Sequence, residues 1–99
     1  MRGEESKADI TRFSTIGYFI KSYFNWSMDW SELENCIEEF LIREQVETVE
    51  ALKKEMEIMY RLNDPELIRK VSYRLGDRGL PDDKAIRMVA LLYAKAWGC

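Results

Sequence analysis

Apolar residues recur at steps of three and four along nearly the whole chain, and that spacing restricts the fold to packed helices. Phe13, Ile16, Gly17, Ile20 and Phe24, with Tyr18, Phe19 and Tyr23 alongside, predict a first helix over about 10–24. The polar Asn25 and Ser27 close it. Ser31-Glu32-Leu33-Glu34 has the form of a capping box, in which the Ser31 oxygen and the Glu34 carboxylate satisfy each other's amides. It opens a second helix to about 44, with Leu33, Cys36, Ile37, Phe40 and Leu41 on one stripe. Thr48 is positioned to cap a third helix with the stripe Val49, Leu52, Met56, Met59 and Tyr60. Ala51, Ile58 and Leu62 lie on its other side, a pattern expected of a helix held between neighbours.

The fourth start is the clearest. Asn63-Asp64-Pro65-Glu66 offers a carboxylate cap, a proline at the first helical position and an acid in the first turn. Leu67, Ile68, Val71 and Leu75 form its stripe, and Gly76 is expected to end it in a left-handed conformation. Gly79-Leu80-Pro81-Asp82 reads as a turn into a fifth helix capped by Asp82 or Asp83. There Ala85, Ile86, Val89, Leu92, Tyr93, Ala96 and Trp97 make one wide face, and Met88, Ala90 and Leu91 leave little of the helix polar. This is the expected central helix. No strand-like alternation, repeat or low-complexity tract interrupts the series, so the expected fold is all-α, a compact bundle of about five helices joined by short loops.

A chain of 99 residues with 46% hydrophobic and 12% aromatic content suffices for one core and argues against disorder. Residues 1–9 are expected to form a flexible segment and 10–99 a single helical domain. With acids in the first seven residues no signal peptide is expected, and the longest mostly apolar run, 88–97, is half the roughly 20 residues a membrane span needs. Cys36 occupies the position of a small apolar residue and Cys99 is terminal; neither belongs to a Cys-x-x-Cys pair or a disulfide framework. Free thiols suit a reducing compartment, and a cytoplasmic location is expected.

The chain contains no histidine. The imidazole base, the usual partner of a nucleophilic Ser or Cys, and the commonest zinc ligand are therefore excluded. Close carboxylates such as Glu34 with Glu38 and Glu47 with Glu50 resemble acid–base or metal pairs, but helical di-metal sites use Glu-x-x-His. Calcium loops, phosphate-binding glycine loops and nucleophile elbows are missing too. The expectation is a binding protein, not an enzyme, with no cofactor, no metal and no small-molecule substrate.

Charge is unevenly distributed. Between positions 29 and 57 ten acids face three bases, a net of −7, while the rest of the chain nets +4. The second and third helices thus carry an acidic surface on a mildly basic body. Acidic helix faces commonly serve solubility alone; the functional alternative is docking of a basic partner, with rim acids speeding encounter and buried anchors holding the complex. Asp29, Glu34, Glu38, Glu39 and Glu47 are the candidate rim. Ile42, on the far side of the second helix from its apolar stripe, is a candidate anchor. Trp26 and Trp30 flank Ser27-Met28-Asp29. At least one is expected in the core, and either becomes a candidate hot spot if exposed beside Asp29; Trp30 is the chosen candidate.

The run Ser22-Tyr23-Phe24-Asn25-Trp26-Ser27-Met28-Asp29-Trp30, then Ser31-Glu32-Leu33-Glu34 and Ile37-Glu38-Glu39-Phe40-Leu41, resembles the small helical immunity proteins of bacterial contact-dependent growth inhibition, the CdiI type. The later order is also similar: a helix over 52–62, Asp64-Pro65-Glu66-Leu67 opening another, Leu75-Gly76, and a last helix ending in an aromatic. The resemblance spans about 17–97, with Trp26 and Met28 interrupting the family's Tyr-Phe, polar pair, Asp-Trp order. It implies a non-enzymatic cytoplasmic inhibitor that binds the toxin domain of a neighbouring cell's CdiA. Many such toxins are nucleases with basic clefts, which an acidic helical face would cover. No nucleic acid and no membrane would then be a partner.

Two rival readings remain. The fourth and fifth helices would form a nucleic-acid-binding helix-turn-helix if Arg69, Lys70, Arg74, Arg78, Lys84 and Arg87 touched phosphates, although acids in the same segment nearly cancel their charge. A generic helical adaptor differs only in its partner.

Overall fold

In the computed structural model, residues 10–98 are described. Among them are five helices: α1 Ser14–Ser22, α2 Leu33–Arg43, α3 Val46–Leu62, α4 Pro65–Arg74 and α5 Asp82–Trp97, with a 3₁₀ turn at Trp30–Glu32 before α2. No described residue lies in a strand. The all-α bundle read from the spacing is the architecture observed, and the α-carbon radius of gyration is 12.5 Å. The expected flexible segment 1–9 and the terminal Cys99 lie outside the described residues.

Several helix ends differ from the sequence reading, for identifiable reasons. Ile10 and Thr11 are helical, as the spacing predicts, but a turn at residues 12–13 interrupts the helix, which resumes at Ser14, where a side chain from another helix takes two of the first amides. Glu55, on α3, accepts from the N–H groups of Thr15 (3.2 Å) and Ile16 (2.9 Å). Before α2, the Ser31–Glu34 box does not form. The Asp29 carboxylate instead accepts from the Ser31 amide (3.1 Å) and hydroxyl (2.6 Å), which places Ser31 inside the 3₁₀ turn. Helix α3 starts at Val46 behind Gln45, so Thr48 lies within its first turn. Asn63 ends α3 in the left-handed region at φ 47°. Asp64 then caps α4 as expected, accepting from Glu66 (3.1 Å) and Leu67 (3.4 Å). Pro81, not Asp82 or Asp83, is the residue before α5, and both aspartates fall in its first turn, where they suit the helix dipole.

Gly76 is needed for a different reason from the one its position suggests. The left-handed residue after α4 is Asp77, at φ 61°, and no described glycine has positive φ. At Gly76 an added Cβ would lie 2.5 Å from Cγ2 of Ile20 and 2.9 Å from the Ser72 carbonyl oxygen. Gly17 on α1 is blocked likewise by the Leu75 side chain. These two glycines let α1 and the end of α4 come into direct contact.

The core gathers the apolar stripes. Phe13, Phe19, Phe24 and Phe40 are all buried with Ile16, Ile20, Leu33, Ile37, Leu52, Met56 and Met59. Phe19 and Phe40 meet edge-to-face at 5.5 Å, and Tyr23 meets Phe40 at 5.2 Å. Helix α5 contributes Ala85, Met88, Val89 and Leu92 and packs against α2, α3 and α4. Its last turn clasps α3: the Trp97 indole N–H donates to the Lys53 carbonyl (2.8 Å), the Lys53 ammonium lies over the Trp97 ring, and Tyr93 stacks on Tyr60 at 4.3 Å. The two-sided burial expected of α3 is not found, since Ile58 and Leu62 are exposed. Cys36 is buried, its thiol donating to the Tyr23 carbonyl, and burial pushes its pKa up, away from the reactive thiolate.

Candidate partner-binding surface

Helix α2 buries Leu33, Cys36, Ile37 and Phe40 and turns Glu34, Asn35, Glu38, Glu39 and Ile42 to solvent. Glu34, Glu38 and Ile42 stand at four-residue steps and so form one exposed row, with Glu39 on the adjoining row. Ile42 ends that first row and is 81% exposed. After the corner at Glu44-Gln45, Val46 opens α3 at 73% exposure, followed by the exposed Glu47. Two large apolar side chains thus flank one helix–helix corner, with carboxylates behind both. Val46 was not among the residues singled out from the sequence. As the first residue of a helix its side chain has no stripe to join, and periodicity carries no information there.

Many of the acids in this region have intramolecular work. Glu38 pairs with Lys95 of α5 (2.9 Å), Glu39 with Arg43 (2.7 Å), Glu50 with Lys53 (3.6 Å) and Glu57 with Arg61 (2.8 Å). Glu55 is turned inward onto the α1 amides, and burial raises its pKa despite those bonds. Asp29 caps the 3₁₀ turn, and the Ser31 hydroxyl and amide hold its carboxyl below the usual range. Glu32 accepts weakly from Asn35 at 3.4 Å. Among the described residues Glu34 and Glu47 make no such contact, so of the seven candidates these two keep their charge least compensated. Exposed i,i+4 pairs such as Arg43–Glu39 are weak and open readily to an incoming partner.

The seven candidates do not form one patch. Asp29 and Trp30 precede α2, whereas Ile42 and Glu47 sit at its far end. Eleven helical residues separate them, roughly 16 Å at 1.5 Å per residue. Trp30 is half-buried, edge-on to Phe24 at 5.9 Å, with the Lys84 ammonium 5.4 Å from its ring centre. Trp26 is the exposed one of the pair, at 74%. It lines a shallow hollow with Lys21, Asn25, Ser27, Gly76 and Asp77, away from the acidic helix face.

The corner itself is fixed by a device the spacing does not reveal. The hydroxyls of Tyr18 (2.8 Å) and Tyr23 (2.6 Å) both donate to Oε2 of Glu44. That carboxylate, reinforced by burial, pushes the Tyr23 pKa up to about 12. An unfolded tyrosine ionises near 10. The folded state therefore disfavours phenolate, and the Tyr23 contribution to stability is complete below pH 10 and is lost as pH rises toward 12. Phenolate absorbance should show one tyrosine still neutral well above pH 10, and Glu44→Gln should bring its midpoint back toward 10. An unchanged midpoint in that variant would remove Glu44 as the cause.

Among the described residues no three His, Cys, Asp or Glu side chains converge as metal ligands, and no helix is long and apolar enough to cross a membrane. Comparison of the chain with protein-family models, with curated proteins and with solved structures found no match.

Proposed function

We propose that this chain is an immunity protein that binds a basic toxin domain of the contact-dependent growth inhibition type, a nuclease domain of a CdiA exoprotein, and neutralises it in the cytoplasm by covering its active site. The observation that carries the reading is the α2–α3 corner, where Ile42 and Val46 project among the exposed carboxylates Glu34, Glu38, Glu39 and Glu47. An apolar centre inside a charged rim is how tight protein–protein interfaces divide their work: the rim accelerates encounter and the centre sets the lifetime. The resemblance in the 17–97 order of motifs supports the same class.

The nucleic-acid reading draws less support. Arg78 is turned inward onto backbone carbonyls, and Arg69 pairs with Asp82 at 3.1 Å. The connection from α4 to α5 spans residues 75–81, longer than the three or four residues of a helix-turn-helix turn.

Two experiments test the proposal. Coexpression with the C-terminal domain of a large exoprotein encoded immediately upstream should restore growth that the domain alone abolishes; continued killing would reject the function. With that domain as ligand, Glu34→Lys with Glu47→Lys should slow association about tenfold at low salt and flatten its ionic-strength dependence, leaving the thermal midpoint unmoved. An unchanged association rate would show that the acidic face does not steer the partner.

A further inference from the structure

Helix α4 carries a second feature, separate from the acidic face. A cleft of about 370 Å³ opens between α4 and the chain leading into α5, lined by Arg69, Lys70, Tyr73, Arg74, Gly79 and Leu80, with Glu66 at its margin. With Arg69 offset by Asp82 at 3.1 Å, Lys70 and Arg74 against Glu66 leave the cleft mildly electropositive. Their arrangement follows from the helix: 66, 69, 70, 73 and 74 fall on one face, opposite the buried Ile68, Val71 and Ser72.

The far wall is held in place from inside. The Ser72 hydroxyl is buried and donates to the Arg78 carbonyl, while the Arg78 amide donates to the Ser72 carbonyl (3.0 Å). This reciprocal pair fixes residues 79–80 against α4 without using their amides. Among the described residues the N–H groups of Gly79 and Leu80 donate to nothing, and Lys70, Arg74 and the Tyr73 hydroxyl have no partner. Arg43, Lys53, Arg61 and Lys95 are each paired with a carboxylate, whereas among the described residues Lys21, Lys54, Lys84 and Arg87 are not, so what sets the cleft apart is the grouping of its cations around one hollow. The cleft therefore gathers donors of two kinds that the protein itself does not engage, exposed cationic side chains and backbone amides, beside an exposed aromatic ring and the edge of Leu80.

We propose that this cleft binds a phosphate monoester carried on a flat, largely apolar group, a nucleoside monophosphate being the simplest case. A dianionic phosphate offers three acceptor oxygens, enough for the Arg74 fork, the Lys70 ammonium and a backbone amide together. Tyr73 provides a face for the flat group, since aromatic side chains stack on any base. The volume lies in the range of small-ligand sites. Arg69, held by Asp82, is the cation least available to the ligand. The same chemistry is offered by a free nucleotide and by the 5′-phosphorylated end of a single strand. The assignment is independent of the toxin-binding reading and stands or falls without it.

The test is an amide-resolved NMR titration of the full chain with adenosine monophosphate, adenosine, inorganic phosphate and a 5′-phosphorylated oligothymidylate. Adenosine monophosphate should shift the Lys70, Tyr73, Arg74, Gly79 and Leu80 resonances saturably, with a dissociation constant below about 1 mM. Adenosine and inorganic phosphate should each bind at least about tenfold more weakly, because each lacks one of the two contacts. Lys70→Glu with Arg74→Glu, both at exposed positions, should abolish saturation while the thermal midpoint stays put. Gly79→Leu should weaken binding, because Gly79 lines the cleft, and the fold should tolerate it, because an added Cβ there meets no atom within 4 Å. Comparable affinity for the oligonucleotide and the monophosphate identifies a free nucleotide as ligand; markedly tighter, salt-sensitive oligonucleotide binding identifies a strand end. Either result supports the site. Absence of saturable shifts, equal binding of adenosine or of phosphate alone, or unaltered binding by both variants overturns it.

Discussion

An Arg78→Ala chain should lose about 2–4 kcal/mol of unfolding free energy, the largest effect expected of any single charged residue here. The reason lies in what one guanidinium holds. Its Nη1 lies 2.6 Å from the Asn25 carbonyl oxygen, 2.9 Å from that of Met28 and 3.3 Å from that of Phe24. The guanidinium carbon sits 3.9 Å from the centre of the Phe24 ring. Residues 23–29, between α1 and the 3₁₀ turn, have no regular structure of their own, so these bonds fix their path across the buried Phe24. Burial pulls the Arg78 pKa down, but the side chain remains a cation, as arginines in proteins do. Removing it leaves the Phe24 and Met28 carbonyls without their donor beneath the loop, while the Asn25 carbonyl keeps only the Met28 amide (2.9 Å). Arg78→Lys should recover only part of the loss, because an ammonium cannot lie flat on Phe24 while donating to several carbonyls. Denaturant unfolding followed by tryptophan fluorescence reads both variants, since Trp26 lies in the loop and Trp30 ends it. A loss below about 1 kcal/mol for the alanine variant would mean that water replaces the guanidinium at little cost.

Arg78 also marks where reading a sequence stops working. Its contacts lie 50 to 54 residues away along the chain, and nothing in the spacing of charges announces them. Glu55 is a similar case: by position it belongs to an acidic run, yet it serves the start of a helix 39 and 40 residues earlier. Apolar periodicity was informative because it reports a property repeated along each helix, and all five helices were legible from it. Asp64-Pro65 was legible because cap and proline act within four residues. Ser31 misled because an adjacent carboxylate, Asp29, competes for the same hydroxyl and wins. Gly76 misled because a glycine permits both unusual backbone angles and close approach, and only the second is used. At the candidate surface, the charge run was visible but its pairing was not. Counting acids gave ten between positions 29 and 57, whereas Lys95, Arg43, Lys53, Arg61 and two tyrosine hydroxyls engage many of them.

That pairing shifts the weight of the proposed interface from charge to the apolar pair at the corner. In the free chain Ile42 and Val46 contribute little to the core, so Ile42→Asp should change stability by no more than about 0.5 kcal/mol. Against a bound toxin domain the same change should be severe. It introduces a carboxylate where the complex excludes water, and desolvating that group without a partner costs several kcal/mol. The expected result is a rise in Kd of at least about thirtyfold, roughly 2 kcal/mol, appearing mainly as faster dissociation. Charge reversal at Glu34 and Glu47 should do the opposite, slowing association and sparing dissociation. The two variants together divide the surface into a steering rim and an anchoring centre. Ile42→Ala should retain part of the affinity, since it removes buried area without adding a charge, and Val46→Asp should behave as Ile42→Asp does. Trp26→Ala is the informative control: a large exposed apolar residue on a different face, whose loss should leave toxin affinity within a factor of about two. Were Trp26→Ala the damaging variant and Ile42→Asp the silent one, the toxin would dock on the loop before α2 and not on the corner after it. The acids of α2 and α3 would then be keeping the protein in solution, not selecting its partner.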